Sequence, residues 1–143
     1  MTTKELKIAG ALLYACEGTK LRKDLRYKNT FIYAIEFTNS NPEIIGLFAT
    51  FMEHILKIDP EKIKGQLFLY PDLDERIVMS TWSRKIGMPI NKFQKVIMLK
   101  AKVSKFKPNP LGTCKLRYTN KEKFLKLQSI IDDVWKDAGG VRT

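Results

Sequence analysis

Residues 8 to 16, IAGALLYAC, are apolar or small without a break. That is too short to span a bilayer, so the run predicts a core helix. Being apolar on every side, it needs cover on every side, more than one sheet face supplies. Ala11, Ala15 and Gly18 fall at i, i+4 and i+7. Such a stripe of small residues predicts close approach of a second helix, with Leu12, Leu13 and Cys16 left to pack on the chain's own core.

After Gly18 the pattern becomes alternating. Lys20, Arg22, Arg26 and Lys28, with Asp24, occupy every second position and in an unbroken strand would share one basic face. A turn near Lys23-Asp24 would disturb that alternation. TFIYAIEFTN then reads as a strand hairpinned to it, with Phe31, Tyr33, Ile35 and Phe37 on one side. Asn41-Pro42-Glu43 supplies an N-cap, a first-turn proline and a dipole-matched acid, and Ile44, Phe48, Phe51, Met52 and Ile55 follow at helical spacing. This predicts a helix over 42–57.

GQLFLYP is a further strand, and Asp72 or Asp74 caps a helical stretch to about residue 87. Residues 93–106 read as extended and KPNPLG as a loop. In TCKLRYT, Cys114, Leu116 and Tyr118 alternate with Lys115 and Arg117, giving one core face and one basic face. Asn120 caps a last helix along Phe124, Leu127, Ile131, Val134 and Trp135, closed by Gly139-Gly140. No linker or repeat interrupts this order, so 1–143 is expected to be one α+β domain.

Charge narrows the function. Lys and Arg number 26 against 15 Asp and Glu, a net charge of +11, and 44% hydrophobic residues mark a folded chain rather than a basic tail. The segment from Arg76 to Lys121 contains 12 Lys or Arg and no acid. Basic residues on strand faces fit a polyanion lying along a sheet. With two Cys and one His, zinc-ligand spacing, a disulfide framework and Ser/Cys-His catalysis are all poorly supported. The expected location is cytoplasmic, without a membrane. The N-terminal apolar run is short for a secretion signal, Glu5 dilutes its basic region, and Tyr14 is bulky beside a cleavage box.

GALLYACEG, residues 10–18, lies on a helix immediately before a basic strand, and it resembles the LAGLIDADG motif of homing endonucleases. Ala11, Leu13, Glu17 and Gly18 match motif positions. Leu12 stands where the motif has glycine, Ala15 replaces an Asp, and Glu17 is a methylene longer than the usual Asp. FTNSNPEIIGLF and FLYPDLDE are similar to segments of LAGLIDADG-like microbial proteins, and the resemblance covers about residues 5–135. It implies an αββαββα module, here with an extra short helix, whose sheet forms a basic saddle for DNA. It also implies a homodimer joined through the motif helix at Ala11, Ala15 and Gly18.

The chemistry so implied is metal-dependent phosphodiester hydrolysis, with Glu17 of each chain holding Mg²⁺ or Mn²⁺. Glu36 and Lys100 or Lys102 are the nearest matches to the family's other catalytic positions. Lys20, Arg22, Arg26, Lys28, Lys115 and Arg117 are expected to meet phosphates. Lys64 and Gln66 share a strand face suited to base edges. Two rivals stay open: a non-cleaving DNA-binding regulator of the same fold, and an RNA-binding or RNA-processing protein that stacks bases on Tyr27, Tyr33, Tyr70 and Tyr118.

Overall fold

The computed structural model describes residues 1–100 and 109–142, with side chains through Gly139. Helix α1 (Thr3–Glu17) starts at a reciprocal capping box: Glu5 N–H donates to Thr2 Oγ1 (3.1 Å) and Thr2 N–H to Glu5 Oε1 (2.9 Å). The helix lies close on α2 (Pro42–His54), because a Cβ at Gly10 would collide with the Phe51 ring. Tyr14 stacks on Phe48 and Phe48 on Phe37, with ring centroids 5.6 and 4.4 Å apart. These rings, all buried, seat α1 and α2 on the sheet.

The strands divide into a hairpin and a sheet. β1 (Arg22–Lys23) pairs antiparallel with β2 (Phe31–Ile32). The larger sheet runs in the order β3 (Ala34–Asn39), β6 (Thr113–Thr119), β4 (Lys64–Leu69), β5 (Ile97–Met98). All its pairs are antiparallel except β4 with β5. An isolated bridge from Gly18 to Phe37 carries the chain leaving α1 along β3. The inward phase of the strands, Ile35, Phe37, Leu67, Leu69, Cys114 and Leu116, is fully buried beneath the helices.

Asp74 caps α3 (Glu75–Ile86) by accepting from the N–H groups of Arg76 and Ile77, and Gly87 ends it in the left-handed region at φ 67°. Trp82 is buried and donates from Nε1 to the Leu111 carbonyl (2.6 Å). The final helix, α4 (Lys121–Arg142), packs beside α1 through Phe124, Leu127 and Ile131. Together these elements make an α+β fold, and among the described residues no helix is long and apolar enough to cross a membrane.

Several boundaries differ from expectation. α2 ends at His54 rather than residue 57, since Lys57 takes a positive φ of 57°, and the strand expected over TFIYAIEFTN divides at Tyr33 into β2 and β3, leaving Phe31 exposed. α4 continues through Gly139-Gly140: glycine weakens a helix by about 1 kcal/mol without forbidding α geometry. Among the described residues of the stretch expected to be extended from 93 to 106, only Ile97–Met98 is a strand, after a 3₁₀ turn at Ile90–Lys92. Residues 101–108 lie outside the described residues.

Candidate nucleic-acid interface

The strand pairings stack the outward side chains into rows. Glu36 on β3 faces Arg117 on β6, which faces Lys64 on β4; in the next row Thr38, Lys115 and Gln66 line up. Directly opposed residues on one face are neighbours, so these rows gather cations from strands distant in sequence. Lys64 is exposed. The Lys115 ammonium lies 5.5 Å from the centre of the Phe68 ring. Gln66 donates from Nε2 to the Lys95 carbonyl (2.9 Å), leaving its own carbonyl oxygen uncommitted in that bond.

Glu36 sits at the focus of this face. Its residue exposure is 5%. Arg22 Nη2 lies 2.8 Å from Oε1, while Lys115 Nζ and Arg117 Nη1 lie 3.4 and 3.5 Å from Oε2. Arg22 and Arg117 keep about two-fifths of their side-chain surface in solvent, at 43% and 40%. The carboxylate offered as a catalytic candidate is thus engaged by three cations.

Several expected contacts fall elsewhere. Lys20 turns back to cap α1, donating to the carbonyls of Ala15 (2.7 Å) and Tyr14 (3.4 Å); the unsatisfied helix C-terminus attracts the cation away from the sheet. Only Arg22–Lys23 is extended, so Arg26 and Lys28 belong to the hairpin turn, and the strict alternation is lost. Arg26 makes a two-pronged pair with Asp24, Nε to Oδ1 and Nη2 to Oδ2, both at 3.0 Å. Hydrogen bonding from Arg26 holds the Asp24 carboxyl below its ordinary range. The arginine still projects from the turn with its side chain 76% exposed.

Glu17 is exposed at the end of α1, where its carboxylate accepts a 2.6 Å hydrogen bond from Asn39 Nδ2. Asn39 has the helix-side phase of β3, opposite in phase to Glu36, so the two acids are not brought to one point. Among the described residues no group of three or more His, Cys, Asp or Glu side chains can hold a metal ion. Mg²⁺ is commonly held by one or two carboxylates together with waters and substrate phosphates, so Glu17 alone would supply at most one protein ligand per chain. Lys100 is exposed beyond β5. Lys102 lies outside the described residues.

The motif helix is turned from its expected orientation. Ala11 is 1% exposed and belongs to the chain's own core, and Gly18 is closed over by Tyr14, whose ring leaves no room for a Cβ there. Ala15 is half-buried beside Lys20, Gln128, Ile131 and Trp135. The small stripe therefore serves intramolecular packing. Of the residues expected inside, Leu13 packs against the core, whereas Leu12 and Cys16 are exposed beside Ile8, and Leu12, Leu13, Cys16 and Leu47 run toward Glu17. On its other flank this apolar surface continues to Val134 and Trp135 of α4.

Tyr33 and Tyr118 pack against the core, which removes two of the four aromatic rings from a stacking platform. Tyr27 is exposed beneath Arg26. Sequence reading missed Phe68, although an aromatic residue in the polar phase of LFL was its signal, and Asn39, whose pairing with Glu17 has no local signature. No protein-family model matches the chain, nor does any curated protein or solved structure.

Proposed function

We propose that this protein binds duplex DNA as a homodimer, laying the outward face of its sheet along the phosphate backbone. The observation that carries the reading is the convergence of Lys64, Lys115 and Arg117 on that face by strand register, joined by Arg22 of the hairpin through its ion pair with Glu36. The element order of helix, three strands, helix, strand, helix, two strands, helix keeps the helix-strands-helix-strands-helix alternation of a LAGLIDADG-like module, with added strands and one added helix. The packing of the partly buried Tyr33 and Tyr118 against the core favours a duplex over stacked single strands.

The dimer contact is assigned to the Ile8, Leu12 and Cys16 face of α1. A second copy across that face would bring the two Glu17 side chains toward a common axis, since each lies at the margin of the patch. Site-specific cleavage with Mg²⁺ or Mn²⁺ is the second reading, and it depends on that pairing. A non-cleaving regulator needs only the basic face.

The deciding experiment is a salt series of fluorescence anisotropy on labelled duplex DNA, single-stranded DNA and structured RNA. Preference for duplex with steep salt dependence supports the reading; preference for RNA replaces it. Sequence enrichment from a random duplex library, then incubation with Mg²⁺ or Mn²⁺, separates nuclease from regulator.

A further inference from the structure

We infer that Glu36 is a positioning residue: its buried carboxylate holds Arg22, Lys115 and Arg117 in the arrangement in which they receive a phosphodiester. This deepens the duplex-binding reading and rests on it. The strand does not need the carboxylate for its own integrity. Glu36 is already fixed through its backbone, with its carbonyl accepting from Thr19 N–H (2.9 Å) and its N–H donating to the Tyr14 hydroxyl (3.3 Å). β3 pairs with β6 on its other side.

Stability alone gives little reason for this side chain. Burying a carboxylate costs desolvation that ion pairing repays incompletely, and well-packed apolar replacements of buried ion pairs are often neutral or stabilising. Here Oε1, although 2.8 Å from Arg22, takes no aligned hydrogen bond. What the arrangement achieves is geometric. Arg22 comes from the hairpin, and Lys115 and Arg117 from β6; the Glu36 carboxylate draws all three together. Each guanidinium has more N–H donors than one carboxylate can use, and both arginines remain partly in solvent. Three cations around one covered anion leave a positive excess facing outward. Side chains already immobilised lose less freedom when a ligand binds.

The test sets this role against simple charge counting. Glu36→Gln raises the net positive charge, so counterion release alone predicts tighter DNA binding. Positioning predicts the reverse: affinity for a fluorescein-labelled random duplex falls about fivefold, a typical effect of losing preorganisation, and the salt slope becomes shallower by about one contact. Glu36→Asp keeps the charge but shortens the reach and should also weaken binding. It carries the test if the Gln variant does not fold by circular dichroism. In the free protein, the arginine Nε–H NMR signals of Arg22 and Arg117 should be resolved in the wild type and collapse toward averaged positions in Glu36→Gln. Binding by the folded variants as tight as wild type or tighter would overturn the positioning role alone. Absence of duplex binding by the wild type would overturn the functional reading and this role with it.

Discussion

The Tyr14 hydroxyl accepts a hydrogen bond from the backbone N–H of Glu36 and donates to the Thr19 carbonyl, at 3.3 and 2.6 Å. It joins the last turn of the motif helix to the strand residue on which the cations converge. Burial pushes the Tyr14 phenol up from 10.0 to about 12. An acid whose folded pKa is raised contributes stability that is fully present below the unfolded value and is lost as pH rises. Stability should therefore fall between pH 10 and about 12. Tyr14→Phe should remove that component of an alkaline urea-melt series and cost about 1 to 2 kcal/mol at neutral pH.

Gly18 should tolerate no side chain. With the Tyr14 ring closed over it, Gly18→Ala forces the ring or the chain to move, and we expect a loss of about 1 to 3 kcal/mol by chemical denaturation. An unchanged midpoint would mean the ring yields freely.

Much of this fold was legible because local chemistry was unambiguous. Asn41-Pro42-Glu43 starts α2, and the alternation of TCKLRYT separates Cys114 and Leu116 from Lys115 and Arg117. The orientation of α1 was not legible, since a helix apolar all round carries no moment to say which side faces in. Burial was decided by long-range shape: the Phe51 ring of α2 fits against Gly10, and Tyr14 stacks on Phe48. The site divided in the same way. Local pattern put cations on strand faces, but the Glu36–Arg117 contact spans 81 positions, and only strand order creates it.

Wild-type protein should bind duplex DNA with a slope of log K against log salt of about −5 to −9, if six to ten phosphates are met per dimer. Lys64→Ala, at the exposed first residue of β4, should reduce that slope by about one for each chain without altering the melting temperature. A flat salt response would place the positive charge in some other service.

Assembly should depend on Leu12 rather than on the small residues. Leu12→Asp puts a charge in the exposed apolar face, so light scattering at micromolar concentration should give a dimer for wild type and a folded monomer for the variant. Cys16 gives an independent readout, because it is exposed on the same face. It should react with maleimide faster on dilution. Cys114, buried and with its thiol pushed up to about 12, should stay unmodified until the protein unfolds.

If Glu17 pairs with its counterpart across the dimer to hold a divalent ion, Glu17→Gln should abolish cutting of an enriched duplex. It should leave metal-free binding intact, since removing a carboxylate near phosphates does not weaken the basic contacts. Tight binding to one sequence with no cleavage at any divalent ion would leave the regulator.

β6 lies between β3 and β4, yet it is the last strand in the chain. On a ribosome, residues 34–39 and 64–69 emerge long before residues 113–119 can bridge them, and during that interval their hydrogen-bonding edges face other nascent chains. The sheet closes only once residues 113–119 have been made, and α4, which then packs beside α1, follows them. A stop codon shortly after Gly112 would therefore release not a trimmed version of this protein but a chain in which β3 is unjoined from the β4–β5 pair, a substrate for chaperones and proteases.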